Sequence, residues 1–266
     1  LGRKMTSVDG EKALISWTGT MFEYMMPLLI MRNYENTILD ETYTSVVRLQ
    51  KRYGKLRRIP WGVSESGYSA FDYNLNYQYK AFGVPELGLK RGLAGDMVVA
   101  PYATLLALCL APEEVANLKE LARLGMDGLW GYYEAIDLAP SSLERNEQYR
   151  VVRSFMAHHQ GMILAGINNF FNSNILQNRF HSDPVIKSAE LLLQERSHPK
   201  AIYTVEHKEE YTLPERKTEQ AHTEAIRTFG APDTLPPNVH ILSNGQYSVM
   251  ITDGGSGYSV AGDIAI

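Results

Sequence analysis

The spacing of hydrophobic and polar positions divides the chain into a helical stretch, a polar interruption and a short alternating stretch. Leu39, Tyr43, Val46, Leu49 and Tyr53 recur every three or four residues, so a helix is expected over 36–53, with Lys51 and Arg52 in its last turn and Gly54 placed to end it. Pro101 fits the first turn of a helix running to residue 110. Pro112 ends that helix and opens another, in which Glu113 and Glu114 precede Val115, Leu118, Leu121 and Leu124 before Gly125. A longer apolar helix is expected over 145–171, with Gly161 and Gly166 as the places where it would break, and Asp183-Pro184 reads as the cap and first residue of a helix to about residue 196. After His198-Pro199 the period is lost, and residues 206–238 have the charged, Pro-rich composition of a linker. Alternation then begins: Val239 to Leu242, a turn at Asn244-Gly245, Tyr247-Val249-Ile251, a second turn at Asp253-Gly254-Gly255, and Tyr258 to Ala261. The expected fold is therefore mainly α over 1–205, followed by a linker and the opening strands of a β module over 239–266.

One stretch fits neither period. From Trp61-Gly62-Val63-Ser64-Glu65-Ser66-Gly67-Tyr68 through Phe71-Asp72-Tyr73-Asn74 to Tyr77, Tyr79 and Phe82, seven of 22 residues are aromatic, against 10% for the whole chain, and amides and carboxylates lie between them. Buried polar groups each require a partner, so this mixture suits a surface that offers flat apolar faces and hydrogen bonds together, as sugar rings demand. The competing reading is an irregular packed loop whose tyrosine hydroxyls are satisfied internally.

Composition narrows the classes. With 44% hydrophobic and 21% charged residues, the 266-residue chain is an ordinary globular sequence. Its net charge of −4 offers no basic field for a phosphate backbone, so nucleic acid is not expected as a partner. The single cysteine, Cys109, excludes an internal disulfide framework and is expected to be a small buried thiol in the run Leu105 to Leu110. No segment approaches the roughly 18 apolar residues that read as a membrane span. The opening Leu1-Gly2-Arg3-Lys4 lacks the apolar core of a secretory leader and does not begin with Met, so the chain is expected to be part of a longer polypeptide.

Glu65 stands at the head of the aromatic stretch, and Glu134 occupies a similar setting in Gly128-Leu129-Trp130-Gly131-Tyr132-Tyr133-Glu134-Ala135-Ile136-Asp137. Glycosidic bond cleavage needs two carboxyl groups, one to protonate the departing oxygen and one to attack the anomeric carbon or activate water, and these two form the natural pair. Sequence spacing does not distinguish retention from inversion. A glutamate that caps a helix or pairs with an arginine is the alternative for either. Glu23, beside Trp17, is a further candidate substrate contact or a helix-start carboxylate, while Asp72 and Asp96 could bind sugar hydroxyls. Adjacent His158 and His159 would point about 100° apart on a helix, which favours a buried hydrogen-bonded histidine over a shared metal. There is no phosphate-cradling glycine motif, serine elbow or Cys/His metal spacing.

Taken together, Ser16-Trp17-Thr18-Gly19-Thr20-Met21-Phe22-Glu23-Tyr24, Trp61-Gly62-Val63-Ser64-Glu65-Ser66, Tyr79-Lys80-Ala81-Phe82-Gly83-Val84-Pro85, Gly88-Leu89-Lys90-Arg91-Gly92-Leu93, Tyr133-Glu134-Ala135-Ile136-Asp137 and Ser154-Phe155-Met156-Ala157-His158-His159-Gln160-Gly161-Met162 resemble the glucoamylase-like central region of cyclic β-1,2-glucan synthases. His240-Ile241-Leu242-Ser243-Asn244-Gly245-Gln246-Tyr247 and Gly255-Ser256-Gly257-Tyr258-Ser259 resemble the start of the phosphorylase-like module that follows in that family. The resemblance implies a partial (α/α) toroid of helical hairpins, related to endo-β-1,2-glucanases, followed by the beginning of a β-sandwich. It also implies a retaining transglycosylation that closes linear β-1,2-glucan into a ring, with no metal or organic cofactor. The partners implied are β-1,2-glucan and other domains of the same polypeptide, in a bacterial inner-membrane enzyme whose soluble domain faces the cytoplasm. Glu134 is then the nucleophile and Glu65 the acid/base, with Glu23 in reserve. Trp17, Trp61, Tyr68, Trp130 and Tyr132 would stack on glucose rings, and Asp72 and Lys80 would contact hydroxyls. The alternatives are a β-1,2-glucan hydrolase and a non-catalytic glucan-binding scaffold.

Overall fold

A computed structural model describes residues 4–72, 76–95, 97–143, 147–196, 202–203, 238–262 and 264–265. The expected linker falls almost entirely outside the described residues, as does Asp96. The chain divides into two compact units, residues 1–213 and 214–266.

The first unit opens with strands β1 (Lys4–Val8) and β2 (Glu11–Leu14), joined by a tight turn in which Asp9 and Gly10 take positive φ; β10 (Ile202–Tyr203) pairs in parallel with β1. Helix α1 (Met21–Met25) follows a complete capping box in which Thr20 accepts from the Glu23 N–H. Helix α2 (Ile38–Arg57) is capped by Thr37 and runs four residues past the expected end. Gly54 does not end it. At that position a Cβ would stand 2.9 Å from the Ile59 carbonyl, so Gly54 serves the close return of the chain, and the helix stops where Arg58 enters the left-handed region.

The aromatic stretch folds as a hairpin, β3 (Ser66–Phe71) against β4 (Tyr77–Lys80), with an irregularity between the Gly67–Tyr79 and Phe71–Tyr77 pairs. Strand β5 (Val98–Val99) leads through Pro101 at the first helical position into α3 (Pro101–Leu106). That helix is shorter than expected. The residues after Leu106 turn instead of continuing, which leaves Cys109 exposed rather than buried. Pro112 opens a 3-10 turn that feeds α4 (Ala116–Arg123), and Gly125 ends the segment at positive φ.

Next come a two-stranded ribbon, β6 (Asp127–Gly128) with β7 (Gly131–Tyr132), and then β8 (Ala135–Asp137) and β9 (Arg150–Val152), which form a sheet in the order β5-β8-β9. Residues 150–152, expected to be helical, are therefore a strand. Their alternative is antiparallel pairing with the buried β8, which outweighs a weak helical period. Helix α5 begins only at Ala157 and runs unbroken to Phe171 (Ala157–Phe171), past both glycines. A Cβ at Gly166 would lie 2.9 Å from the Leu105 carbonyl, so that glycine sets the α3–α5 approach. Helices α6 (Ile175–Phe180) and α7 (Pro184–Ala189) complete the unit, the latter capped by Asp183 as expected. The outer surface of α5 carries Leu164 and Phe171 in solvent.

The second unit is an antiparallel meander of β11 (Val239–Ser243), β12 (Tyr247–Thr252), β13 (Gly257–Ala261) and β14 (Ile264–Ala265). Asn244 accepts the Gln246 and Tyr247 N–H groups, and Gly245 takes positive φ, so the expected turn forms there.

The core of the first unit joins Tyr53 and Leu49 of α2 to Trp61, Val63, Val99, Tyr102 and Ile136. Its polar clamp is Gln50. This fully buried amide donates to the Val63 carbonyl at 2.9 Å and accepts the Val63 N–H at 2.9 Å, tying the segment before Glu65 to α2. Gln50→Leu would leave the Val63 N–H without its partner and the Val63 carbonyl with only the Met21 N–H at 3.3 Å, and is expected to destabilise the chain by about 1–3 kcal/mol in urea unfolding.

Candidate active site

Glu65 and Glu134 reach the same place by different routes. Glu65 lies between the Val63–Val99 bridge and β3, and its carbonyl accepts the buried Tyr102 hydroxyl at 2.8 Å. Tyr102 has only one hydrogen to give, so the 2.7 Å contact with Ser64 is a donation from the serine hydroxyl to the tyrosine oxygen. Ser64 also accepts the Phe22 N–H, which joins the start of α1 to the same loop. Glu134 lies between β7 and β8 with its N–H donated to the Ser154 carbonyl. Its side chain is 2% exposed and presses against Gly67, where a Cβ would stand 3.4 Å from Glu134 Cγ. The Gly67 N–H donates to Glu134 Oε1 at 3.2 Å.

Two side chains bridge the carboxylates. Tyr79, opposite Gly67 in the hairpin, donates to Glu65 Oε1 at 2.9 Å, and the same hydroxyl stands 3.2 Å from Nε2 of both His158 and His159. His159 Nδ1 in turn lies 2.9 Å from Glu134 Oε1, a close ionic contact that is bent away from the line of the ring N–H. The His159 ring is stacked on the Tyr102 ring at 3.9 Å and 20°. Glu134 Oε2 is buried and has no partner. Ser66 Oγ, Ser154 Oγ and His159 Nδ1 are buried without a hydrogen-bond partner too, and buried polar atoms of this kind are candidate contacts for a ligand. Glu134 and His159 also line a small crevice with Tyr102, Tyr132, Tyr133 and Gln160.

The environment keeps both bridging hydroxyls protonated. Burial, and then the hydrogen bond and charge of Glu65, push the Tyr79 hydroxyl far above the ordinary tyrosine range, and burial does the same to Tyr102. Burial first, and then the neighbouring His159, lower His158 below the ordinary imidazole value. Among the described residues no cluster of His, Cys, Asp and Glu has the arrangement of a metal site.

The other candidates divide. Tyr132 lines the crevice and donates its hydroxyl to the Leu118 carbonyl at 3.0 Å. Trp17 and Trp130 are exposed, Trp130 at the tip of the β6–β7 ribbon. Tyr68 donates to Gln78 and sets its ring edge-on to Phe82, and the Lys80 ammonium lies 5.6 Å over that same phenyl ring. Three positions serve the structure instead. Trp61 is buried in the core with its carbonyl held by Asn117, and Asp72 accepts from the Asn76 backbone and side chain in the hairpin loop. The Glu23 carboxylate is taken up by the Ser16 hydroxyl and by the Thr18, Gly19 and Thr20 N–H groups. Tyr79, His159 and Tyr102 were not singled out by sequence. Tyr79 is one of seven aromatics in its stretch, and the buried, hydrogen-bonded histidine expected of the His158-His159 pair is His159.

Comparison with known proteins decides the family. Residues 1–184 match the family described as "Putative glucoamylase", and residues 222–266 match the glycosyl hydrolase 94 supersandwich domain. The chain belongs to this glucoamylase family. It is thereby a carbohydrate-active chain with a glycoside-hydrolase-like region over 1–184 and a supersandwich-domain match over 222–266. It is 41% identical over 260 residues to the cyclic beta-(1,2)-glucan synthase NdvB of Rhizobium meliloti (strain 1021), in an alignment covering 97% of this chain and 9% of that relative. The chain thus spans about a tenth of that relative's length. Among solved structures, the endo-beta-1,2-glucanase from Chitinophaga pinensis superposes with a TM-score of 0.52 at 18% identity, over 74% of this chain and 47% of the other. At that identity the likeness establishes a shared fold.

Tyr102→Phe keeps the ring stacked on His159 but removes the hydroxyl that holds Glu65 and receives Ser64. The expected loss is about 1–3 kcal/mol of stability, measured by urea unfolding.

Proposed function

We propose that this chain is the ring-closing region of a cyclic β-1,2-glucan synthase, working by retaining transglycosylation within a partial (α/α) toroid. The reading is carried by Glu134: one carboxylate oxygen is pinned by Gly67 and His159 while the other is buried without a partner, and a tyrosine and a histidine connect it to Glu65. Similarity to NdvB, named as a cyclic β-1,2-glucan synthase, supplies the substrate.

In the first step the free oxygen of Glu134 attacks the anomeric carbon while Glu65 donates its proton to the departing glycosidic oxygen. Glu65, now ionised, removes the proton from the hydroxyl at the far end of the same glucan. That hydroxyl displaces Glu134, and the ring closes with the anomeric configuration restored. Tyr132, Trp17, Tyr68 and Trp130 are the proposed apolar faces for glucose, and Lys80 a hydroxyl contact. The exposed apolar residues of α5 would be covered by other domains of the same polypeptide. Among the described residues no helix is long and apolar enough to cross a membrane. Similarity to NdvB supports the separate proposal that the chain is a water-facing domain of an inner-membrane enzyme, on its cytoplasmic side.

The test is incubation of the intact parent protein with linear β-1,2-glucan, with product masses read out. Rings, each one water lighter than the linear chain of equal length, are expected. Glu134→Gln and Glu65→Gln should each lower the rate at least about 10²-fold while glucan affinity is kept. Shorter linear products would identify a hydrolase, and binding without turnover in the parent would identify a scaffold.

A further inference from the structure

The Tyr79 hydroxyl has one hydrogen and three polar neighbours, Glu65 Oε1 at 2.9 Å and the Nε2 atoms of His158 and His159 at 3.2 Å. Each contact needs a hydrogen. If Tyr79 donates to Glu65, both histidines must carry a hydrogen on Nε2 and donate to the tyrosine oxygen. The other side of His159 is constrained too, because Nδ1 faces Glu134 Oε1 at 2.9 Å and a bare lone pair there would oppose the carboxylate. Glu134 Oε1 already accepts the Gly67 N–H, so the hydrogen between the two groups is placed on Nδ1. His159 is then an imidazolium between two carboxylates. One alternative meets the three Tyr79 contacts with the same number of protons: Glu65 protonated and donating to Tyr79, Tyr79 donating to His159 Nε2, and His159 neutral with its hydrogen on Nδ1, near Glu134 but off the line to Oε1.

We propose that Tyr79 and His159 are positioning residues that relay one proton between Glu65 and the His159–Glu134 pair. This rests on reading Glu65 as the proton donor and Glu134 as the nucleophile. The two arrangements interconvert when the Glu65 O–H proton passes to the Tyr79 oxygen as the Tyr79 hydrogen passes to His159 Nε2. Glu65 goes from neutral to negative and His159 from neutral to positive, with Glu134 ionised throughout. The relay returns an acidic proton to Glu65 without bulk water, which suits a site that must favour a sugar hydroxyl over water as acceptor. His158 donates to Tyr79 in both states and fixes its oxygen in place.

The groups facing His159 are Glu134 from the β7–β8 connection, Tyr79 from β4, the Tyr102 ring from α3, His158 from its own helix, and Tyr132 and Tyr133 in the crevice wall. The test is a pH titration of the protein labelled with ¹⁵N-histidine, following both ring nitrogens of His159 by long-range proton–nitrogen spectra. Nδ1 is expected to carry a hydrogen through the neutral range. Glu65→Gln should lower the His159 midpoint by about one pH unit, a tenfold change in proton affinity. In the Tyr79→Phe background the same substitution should move it by less than half as much. A neutral Nε2–H tautomer with bare Nδ1, an unmoved midpoint, or equal shifts with and without the Tyr79 hydroxyl would overturn the relay. The wild-type tautomer alone can overturn the relay even where a variant fails to fold. No glucan enters this experiment, so the relay and the glucan chemistry fail separately.

Discussion

Tyr102 is buried where three segments meet, and it uses both of its chemical faces. Its hydroxyl holds the carbonyl of Glu65, while its ring supports the imidazole that faces Glu134. One buried aromatic therefore connects the backbone of Glu65 to the imidazole beside Glu134, two acidic residues that are 69 positions apart in sequence. Its own place is set by Pro101 at the head of α3 and by the Gln50–Val63–Val99 connection, so the geometry of the site is inherited from the core rather than from flexible loops. The proposed glycosyl transfer would depend on that rigidity, since small displacements of a reacting group cost large factors in rate.

The second requirement is asymmetry. Glu65 is partly open and bonded to a tyrosine hydroxyl, whereas Glu134 is buried with one oxygen engaged and one free. Gly67 contributes through its backbone, donating its N–H to Glu134 Oε1 at 3.2 Å.

Much of the framework was legible in the sequence. The period of α2, the Pro112 and Asp183-Pro184 helix starts, and the alternation and Asn244-Gly245 turn of the second unit are local signals, and the structure follows them. What sequence missed depended on distant partners. Residues 150–152 form a strand because β8 is there to pair with them, and the aromatic stretch is a hairpin whose register places Tyr79 across from Gly67. Glu65 and Glu134 stood out because each is a carboxylate among aromatics. Tyr79 and His159 did not, because a bridge between two remote segments has no spacing of its own. Trp61 and Glu23 shared the composition of the site residues, yet the core and a helix cap claimed them.

The account stands on both glutamates addressing one glucose unit. The direct measurement is a crystal structure of the Glu134→Gln protein with a linear β-1,2-glucan oligosaccharide bound. The account predicts an anomeric carbon within about 3.5 Å of the side chain at position 134, with the glycosidic oxygen beside Glu65. A sugar bound elsewhere, or one that reaches only one of the two carboxylates, would contradict it.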